Sequence, residues 1–280
     1  MFLLFDIGGT KMRLAISQNG ETFGEPKIIE TPKNFDEAMS LFEKTVFDLA
    51  GGKKIEAAAG GIAGPLDRKK EKLLNSSNIA GWVGKPLKES VEKAIGAPLY
   101  LENDAAIVGL GEATVGAGKG EEIVAYMTVS TGVGGARIVD GKIDRNIYGF
   151  EPGHQIIDPI GLSCPICGTI GHLEGQVSGA ALEIRYHKKP YEIIDPHLWE
   201  EEAKWLAYGL NNTIVHWSPN VVVLGGSMII KEPGISIERV RYHLKNALLI
   251  FPESPRLVKA ELGDVGGLYG ALVFLKQNFV

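Results

Sequence analysis

Two glycine-containing turns carry residue types that suit phosphate binding. The sequence DIGGTK begins at residue 6, and the sequence TGVGG begins at residue 131. Main-chain N–H groups can approach a phosphate closely where glycine leaves no Cβ in the way. A tight turn also requires glycine, so local geometry explains either turn alone equally well. The two turns together predict a triphosphate site with these candidate residues: Gly8, Gly9, Thr10, Lys11, Thr131, Gly132, Val133 and Gly134.

The residues around these turns point to a magnesium-bound nucleotide. Asp6 lies at a predicted strand end, where a carboxylate can hold Mg²⁺ through water, and Thr10 can donate to a phosphate oxygen. A further pair, Gly225 and Gly226, ends an apolar run before a polar turn. Small residues there would let an adenine lie against the main chain, although turn propensity explains the pair about equally well as a simple β-turn.

Both cysteines of the chain lie in one stretch that suits a metal ion. His154, Cys164, Cys167 and His172 supply two thiolates and two imidazoles, a donor set that tetrahedral Zn²⁺ prefers. A redox Cys-x-x-Cys pair is the alternative, but such a pair usually opens a helix in a thioredoxin-like unit, and none is evident here. We therefore expect a structural Zn²⁺ whose coordination positions are all filled by protein.

The elements that must position these residues repeat along the chain. Apolar runs of strand length flank each glycine turn, so residues 2–17 and 122–140 each predict a β-hairpin. Helical stretches follow each hairpin and lead to strands that end in glycines near residues 60 and 225. A duplicated α/β architecture accounts for this repeat. Apolar spacings of three and four predict the best-defined helices at 34–50, 198–217, 236–251 and 265–277.

Composition and charge narrow the classes of function. The 280 residues carry 29 basic and 34 acidic side chains, with no long run of like charge, so nothing provides the clustered cations of a nucleic-acid-binding protein. No apolar run reaches the roughly 18 residues that span a membrane, and the N-terminus lacks a basic leader. Two cysteines provide no disulfide framework. These features predict a cytoplasmic protein that acts on small molecules, without a nucleic-acid or membrane partner.

Several motifs in a fixed order resemble a known family. DIGGTK, ENDAA, STGVGGA, EPGH and a Cys/His stretch ending in LEG occur between residue 6 and about residue 179, and GDVGGLYGAL closes the chain. In this order they resemble the ROK (repressor, open reading frame, kinase) family of sugar kinases. The resemblance implies the actin-like ATPase fold, a duplicated ribonuclease H-like α/β fold with two lobes and an interlobe cleft. It implies a small lobe at 1–115, completed by a C-terminal helix at about 266–280, and a large lobe at 116–265 that carries the zinc loop.

The resemblance also assigns roles to individual residues. Asp104 matches the general base that takes the proton from the attacking sugar hydroxyl, although Asn103 or Asp104 could instead cap the following helix. His154 belongs to the Glu-x-Gly-His motif, where one ring nitrogen can contact sugar and the other zinc. The family usually has Cys-x-Cys and a third cysteine where this chain has Cys-x-x-Cys and His172. Isolated surface Glu and His residues often have no function. The implied sugar contacts are Asn78, Asn103, Asp104, Glu151, His154 and Glu174.

Taken together, these features predict an ATP-dependent kinase of a hexose or an N-acetylhexosamine. Glucokinase-like transfer from Mg-ATP to the 6-hydroxyl is the expected reaction, and the resemblance suggests a homodimer. A sugar-responsive regulator without catalytic activity is the alternative within the family, but such repressors carry an N-terminal helix-turn-helix, and this chain starts directly on its first strand. A nucleotide-driven chaperone or filament protein of the same fold would not need the Glu-x-Gly-His motif or the zinc loop.

Overall fold

The structure, a computed structural model, describes residues 1–76 and 78–279. Its first half alternates strands and helices in an order that begins with a hairpin. The elements are β1 (Phe2–Ile7), β2 (Lys11–Ser17), β3 (Lys27–Glu30), α1 (Phe35–Ala50), β4 (Ala57–Ile62), α2 (Leu87–Ile95), β5 (Leu99–Asn103) and α3 (Asp104–Thr114). A short 3₁₀ turn at Ala80–Trp82 lies between β4 and α2.

The second half repeats this order with a long irregular insertion after its third strand. Its elements are β6 (Ile123–Val129), β7 (Val133–Val139), β8 (Lys142–Ile143), α4 (Leu173–Val177), α5 (Gly179–Tyr186), α6 (Pro196–Trp217), β9 (Val221–Gly225), α7 (Ser227–Ile230), α8 (Ile237–Ala247), β10 (Arg256–Lys259) and α9 (Gly266–Asn278). Three 3₁₀ turns, at Pro152–His154, Pro190–Glu192 and Gly263–Val265, complete it.

The two halves form two mixed sheets with the same topology. The strand order is β3-β2-β1-β4-β5 in the first sheet and β8-β7-β6-β9-β10 in the second. In each, the hairpin strands are antiparallel and the last two strands run parallel to the first strand of the hairpin. This correspondence confirms the predicted duplication.

The chain forms two compact units, and each unit consists of more than one segment of the sequence. Unit 1 comprises Met1–Val115, Arg145–Gly149 and the chain from Leu262 onward, whereas unit 2 comprises Gly116–Asp144 and Phe150–Glu261. Unit 1 thus contains 145–149 and 262–265 in addition to the segments expected for the small lobe. Arg145–Gly149 joins unit 1 because Tyr148 accepts a hydrogen bond from Arg68, and Leu262 joins it because its N–H donates to Glu112.

Each unit has its own apolar core between its sheet and its helices. In unit 1, α1 buries Phe42 and Val46 against the first sheet, and its start is capped by Asn34, which accepts from the N–H groups of Asp36 and Glu37. In unit 2, the 22-residue helix α6 buries its apolar face beside the second sheet. Each core supports the sheet edge of its own unit, where the candidate residues of that unit lie.

The four helices predicted from periodicity are confirmed as α1, α6, α8 and α9, with one boundary corrected. The third was expected to continue to residue 251, but α8 ends at Ala247. The chain turns away because Pro252 and Pro255 follow and cannot continue a helix, so Leu249 is 79% exposed. Within the described ranges, no helix combines the length and apolar character needed to cross a membrane.

Candidate active site

The carboxyl ends of three parallel strands bring most of the predicted residues of unit 1 to one sheet edge. Ile7 at the end of β1 pairs with Ile62 of β4, which pairs with Asn103 at the end of β5. The first glycine turn follows β1, and Asp104 follows β5. Ligands of open α/β sheets bind outside the carboxyl ends of the strands, so this edge is where a site is expected.

The first glycine turn is a tight hairpin whose tip offers unused main-chain donors. The N–H of Gly8 donates to the carbonyl of Lys11 at 2.9 Å. The N–H groups of Gly9 and Thr10 make no hydrogen bond within the part of the chain that is described. Amides at such a turn can bind an anion. Lys11, the last residue of the motif, is exposed at the start of β2.

Asn78 packs directly against this turn. A Cβ at Gly9 would lie 2.3 Å from the Cβ of Asn78, so only glycine fits there. Lys33 holds the arrangement, because its Nζ donates to the carbonyls of Gly9 at 2.8 Å and of Asn78 at 2.6 Å. The structure therefore brings Asn78 to the first glycine turn. It also identifies Lys33, which sequence analysis missed, as the residue that joins the two.

Asp6 lies inside β1 beside a cation that sequence analysis did not select. Arg13, its antiparallel partner on β2, places Nη1 3.6 Å from Oδ2 of Asp6 and Nη2 3.2 Å from Oδ1 of Asp264. Burial, followed by the nearby Asp104 carboxyl, raises the pKa of Asp6 to about 7, while Arg13 opposes the shift. Asp6 and Asp104 are therefore close enough to interact electrostatically. Arg13 could have been noticed from the sequence because it is the one charged residue in the mostly apolar segment MRLAIS.

The structure at the junction of β5 and α3 shows whether Asn103 or Asp104 caps the helix. The N-cap is Asn103, whose Oδ1 accepts from the N–H of Ala106 at 3.1 Å and whose Nδ2 donates to the carbonyl of Gly64 at 3.2 Å. Each amide end of Asn103 keeps one further hydrogen-bonding position. Asp104 is thereby free of the capping role, and its side chain accepts locally from the Ala105 N–H at 2.8 Å.

The environment of Asp104 suits a group that exchanges a proton near neutral pH. Burial raises its pKa to about 6, even though the Ala105 N–H favours the charged form. The neighbouring strand leaves room for it, because a Cβ at Gly61 would lie 2.9 Å from the Cα of Asp104. A carboxyl with a pKa in this range can act as a general base.

The second glycine turn, in unit 2, is partly occupied by a buried carboxylate. Oε2 of Glu174 accepts from the N–H of Val133 at 2.8 Å, so this predicted nucleotide contact is already satisfied within the protein. The N–H groups of Thr131 and Gly132 make no hydrogen bond within the described ranges. Gly134 lies in β7, opposite Thr128 of β6. Thr131 and Gly132 are thus the donors that this turn can offer to an anion.

Gly225 and Gly226 lie beside this turn and have packing roles of their own. A Cβ at Gly225 would lie 2.7 Å from the Tyr126 hydroxyl, and one at Gly226 would lie 2.2 Å from the carbonyl oxygen of Val129. Gly226 also has a φ of 88°, which glycine adopts without strain. The hydroxyls of Ser130 and Ser227, 3.0 Å apart, connect the two glycine segments. Close packing against β6 therefore explains both glycines without a ligand.

The Glu-Pro-Gly-His motif forms a 3₁₀ turn at the start of the irregular insertion of unit 2. Glu151 is exposed, and its carbonyl accepts from the N–H of His154 at 3.0 Å. Gly153 packs against β7, because a Cβ there would lie 2.4 Å from the carbonyl oxygen of Val133. The motif therefore holds His154 beside the second glycine turn, while the Glu151 side chain reaches the surface.

His154, Cys164, Cys167 and His172 converge and could hold a metal ion. One ligand atom from each lies within 4.8 Å of the other three. The two Nδ1 atoms are 3.1 Å apart, and Sγ of Cys167 lies 3.6 Å from Nδ1 of His154 and 3.4 Å from Nδ1 of His172. Tetrahedral Zn²⁺ at ordinary bond lengths separates its ligands by about 3.3–3.8 Å. The two distances from Cys167 lie in this range, the two Nδ1 atoms are slightly closer together, and all four donors are of the types that this ion prefers.

The local electrostatics of this cluster favour the protonation state that a metal requires at His172 and Cys167 but oppose it at Cys164, because burial raises the pKa of the Cys164 thiol to about 11. Burial, followed by His154, lowers the pKa of His172, which favours the neutral imidazole. Burial alone would raise the pKa of Cys167, but hydrogen bonds from the Thr169 hydroxyl and main chain and from the Cys164 side chain together lower the pKa. No helix begins at the Cys-x-x-Cys segment, so the context of a thioredoxin-like redox pair is absent from this described stretch.

Glu174 connects the metal-ligand cluster to the second glycine turn. Its side chain is buried, with Oε1 accepting from Sγ of Cys164 at 3.3 Å and Oε2 from Val133. Both carboxylate oxygens thus have partners within unit 2. Sequence analysis predicted that Glu174 contacts the sugar. The structure adds that Glu174 holds the second glycine turn to the Cys/His cluster. No local pattern indicated this, because its partners Cys164 and Val133 are 10 and 41 residues away in the sequence.

Comparison with protein families supports one assignment over nearly the whole chain. The ROK family profile matches residues 3–278. The glucokinase of Streptomyces coelicolor is 30% identical over 95% of this chain and 94% of its own length. The N-acetyl-D-glucosamine kinase of Vibrio parahaemolyticus is 29% identical over 97% of this chain and 98% of its own length.

Solved structures show the same architecture. A ROK hexokinase from Thermus thermophilus has a TM-score of 0.84 at 30% identity, covering 98% of this chain and 97% of its own. A ROK glucokinase from Streptomyces griseus, in complex with glucose and AMPPNP, has a TM-score of 0.82 at 28% identity, covering 99% of both chains. A ROK transcriptional regulator shares the fold, with a TM-score of 0.78 at 18% identity over 98% of this chain and 77% of its own. These likenesses confirm the predicted α/β actin-like ATPase fold class.

Proposed function

The chain belongs to the ROK family, and on that premise we propose that it is an ATP-dependent sugar kinase. The observation that carries the proposal is the sheet edge of unit 1, where the first glycine turn, Asp6 and Asp104 lie together. There Asn103 caps α3, which leaves the raised-pKa carboxyl of Asp104 for chemistry. Phosphoryl transfer needs little covalent help from protein, and positioning, charge neutralisation and a base are its main requirements.

The proposed nucleotide contacts follow from the two glycine turns. The open N–H groups of Gly9 and Thr10, and those of Thr131 and Gly132, would donate to phosphate oxygens. Asp6 would hold the Mg²⁺ of the substrate Mg-ATP through water. Lys11 would add positive charge, while Gly8, Val133 and Gly134 shape the turns. Gly225 and Gly226 would form the adenine wall.

The proposed chemical step begins with a hydroxyl of a hexose or an N-acetylhexosamine. Ionised Asp104 would accept its proton as the oxygen attacks the γ-phosphate in line, and ADP would leave with Mg²⁺. Asn103 retains one donor and one acceptor position for a neighbouring hydroxyl. The 6-hydroxyl is the proposed acceptor. Further proposed sugar contacts are Asn78, Glu151, His154 and Glu174.

We propose that the Cys/His cluster binds one structural Zn²⁺ through His154, Cys164, Cys167 and His172. Zinc with four protein ligands would stabilise the irregular insertion and would not activate water. Because Glu174 lies in the helix that begins directly after His172, and the motif of Glu151 includes His154, the metal would hold both acids in place. A cytoplasmic homodimer is the proposed setting of the enzyme.

The test is ADP release from Mg-ATP with a panel of glucose, fructose, mannose, allose and N-acetylated hexosamines. We expect one or more sugars to stimulate turnover, and Asp104→Asn to lower kcat by about 10²- to 10⁴-fold with smaller effects on sugar KM. Asp48→Asn, an exposed position on α1, is the matched control and should retain wild-type turnover. Near-normal turnover in Asp104→Asn would refute the assignment of the base.

The same panel separates the kinase from the regulator of the same family. Sugar binding measured by calorimetry, without ADP release from any sugar, would favour a sugar-responsive regulator. ATP turnover that ignores every sugar would favour a nucleotide-driven protein of the same fold. Either outcome would overturn the proposed kinase activity while leaving the fold unaffected.

A further inference from the structure

A cluster of polar side chains lies directly before Asp104 in unit 1 and has no place in the chemistry proposed above. Nζ of Lys70 donates to Oε1 of Glu102 at 2.9 Å and to Oδ1 of Asn146 at 3.3 Å. The same oxygen of Glu102 accepts from the main-chain N–H of Asn103 at 2.9 Å. The Glu102 side chain is only 8% exposed, so the ammonium of Lys70 is the counter-charge of a buried carboxylate.

The main chain at Lys70 is held in an unusual conformation. Its φ is 56°, in the left-handed region that residues with a side chain seldom adopt. Lys70 lies at the reversal of a small hairpin closed by a bridge between Leu66 and Leu73, and its N–H donates to the carbonyl of Asp67 at 2.9 Å. Such strain persists where surrounding contacts fix it, and it is concentrated at functional sites. Here the contacts direct the ammonium to Glu102.

The partner Asn146 lies in a segment that leads towards the Glu-Pro-Gly-His motif. Residues 145–149 belong to unit 1, and Glu151 follows two residues later. Both Lys70 and Arg68 hold this segment to the Lys70 hairpin, since Nε of Arg68 donates to the Tyr148 hydroxyl at 3.0 Å. Oδ1 of Asn146 accepts from the N–H of Gly149 at 2.8 Å, which fixes the turn at the end of the segment.

We propose that Lys70 is a positioning residue for the sugar, joining the start of α3 to the segment that precedes Glu151. It acts through Glu102 on the main chain of Asn103, and through Asn146 on residues 145–149. It contacts no reacting atom. This role rests on the proposed kinase activity and deepens it, because a shift of about 1 Å between substrate-positioning groups can cost about 100-fold in rate.

The experiment compares Lys70→Met with Lys69→Met, an exposed neighbour in the same turn, using steady-state kinetics for both substrates. We expect Lys70→Met to lower kcat/KM for the sugar by about 10- to 100-fold and to change the KM for Mg-ATP by less than about 2-fold. Lys69→Met should match wild type. Lys70→Arg, which keeps the charge and donors, should restore kcat/KM for the sugar to within about 3-fold.

Thermal unfolding of each variant separates positioning from a merely structural role. A Lys70→Met protein that has a lower Tm but retains its kcat/KM for sugar while folded would overturn the proposal, as would an equal loss in Lys69→Met. If Lys70→Met does not fold, Asn146→Ala leaves the ion pair intact, and an unchanged sugar KM in that variant would also overturn it. Wild-type protein inactive with every sugar would instead refute the kinase activity itself, and the role of Lys70 with it.

Discussion

At the scale of single residues, the protonation state of Asp104 decides whether the proposed base can act. A base must be deprotonated to accept a proton, and burial raises the pKa of Asp104 to about 6. The group is therefore mostly charged at neutral pH and becomes neutral on acidification. Asp6 also has a raised pKa, about 7, but Mg²⁺ bound with the nucleotide would favour the charged form of Asp6.

We predict an acid limb in the pH profile of the enzyme at saturating Mg-ATP. Below about pH 6, the kcat/KM for the sugar should decrease by up to about tenfold for each pH unit, because protonated Asp104 cannot accept the hydroxyl proton. The measurement is a profile from about pH 5 to about pH 9 in wild type and in Asp104→Asn, whose residual activity should lack this limb. Asp48→Asn should keep it. An unchanged limb in Asp104→Asn would assign the titration to another group.

Sequence reasoning at this scale identified residue types better than their partners. The two possible caps of α3, Asn103 and Asp104, could not be separated, because the choice depends on which side chain faces the N–H of Ala106. Lys33 and Lys70 were missed because each acts on residues far away in the sequence. The contact from Lys70 to Glu102, for example, spans 32 positions and leaves no local periodicity.

At the scale of elements, the irregular insertion of unit 2 depends on tertiary contacts more than on secondary structure. Between β8 and α4 the described chain forms only one 3₁₀ turn and isolated bridges, at Ile156 with His172 and at Ser163 with Ile170. Little apolar burial stabilises this stretch, since Ile160 is 92% exposed. A bound metal would therefore contribute a large share of its stability.

We predict that the purified protein contains about one zinc ion per chain and that Cys167→Ser loses it. Loss of the metal should lower Tm and raise the sugar KM, because Glu174 and the Glu-Pro-Gly-His motif would lose their support. Elemental analysis, thermal unfolding and kinetics measure these effects. Ser163→Ala, an exposed neighbour, should keep both metal and activity. Metal-free protein with full stability and activity would refute the zinc site.

Periodicity predicted the long elements and failed for the short ones. The helices α1 and α6 span 16 and 22 residues, enough for several repeats of the apolar spacing. By contrast, α2 has 9 residues and β3 has 4, and neither was predicted. Strand β3 lies at a sheet edge with mostly exposed side chains, so it lacks the alternation that identifies a half-buried strand.

At the scale of the whole molecule, the duplicated topology followed from the sequence and the return of the C-terminal helix to the first lobe followed from the family resemblance, whereas the place of residues 145–149 in unit 1 followed from neither. The two hairpins with glycine at the reversal and the two strands ending in glycines have equivalent places in the two sheets. Periodicity carries no information on which sheet a later segment joins. Residues 145–149 therefore could be assigned to unit 1 only from their contacts with Arg68 and Lys70.

The helix α9, although it ends the chain, packs against α3 of the first half within unit 1. Their main chains approach so closely that a Cβ at Gly270 would lie 1.7 Å from the carbonyl oxygen of Ile107, and one at Gly111 would lie 2.9 Å from the N of Gly270. Because α3 begins at Asp104, any displacement of this helix pair is transmitted to the proposed base. Close glycine packing thus connects the end of the chain to the site.

We predict that Gly270→Ala lowers the free energy of unfolding by about 1–3 kcal/mol, because the added methyl group must separate two packed helices. The kcat/KM for sugar should fall as well, since the start of α3 moves. Gly266→Ala is the matched control in the same helix, where the nearest atom, Cγ1 of Val108, would lie 3.2 Å from the new Cβ. Because alanine has a higher helix propensity than glycine, the substitution can offset the cost of that contact. Urea unfolding followed by circular dichroism makes the comparison, and equal stability of the two variants would contradict the proposed constraint on α3.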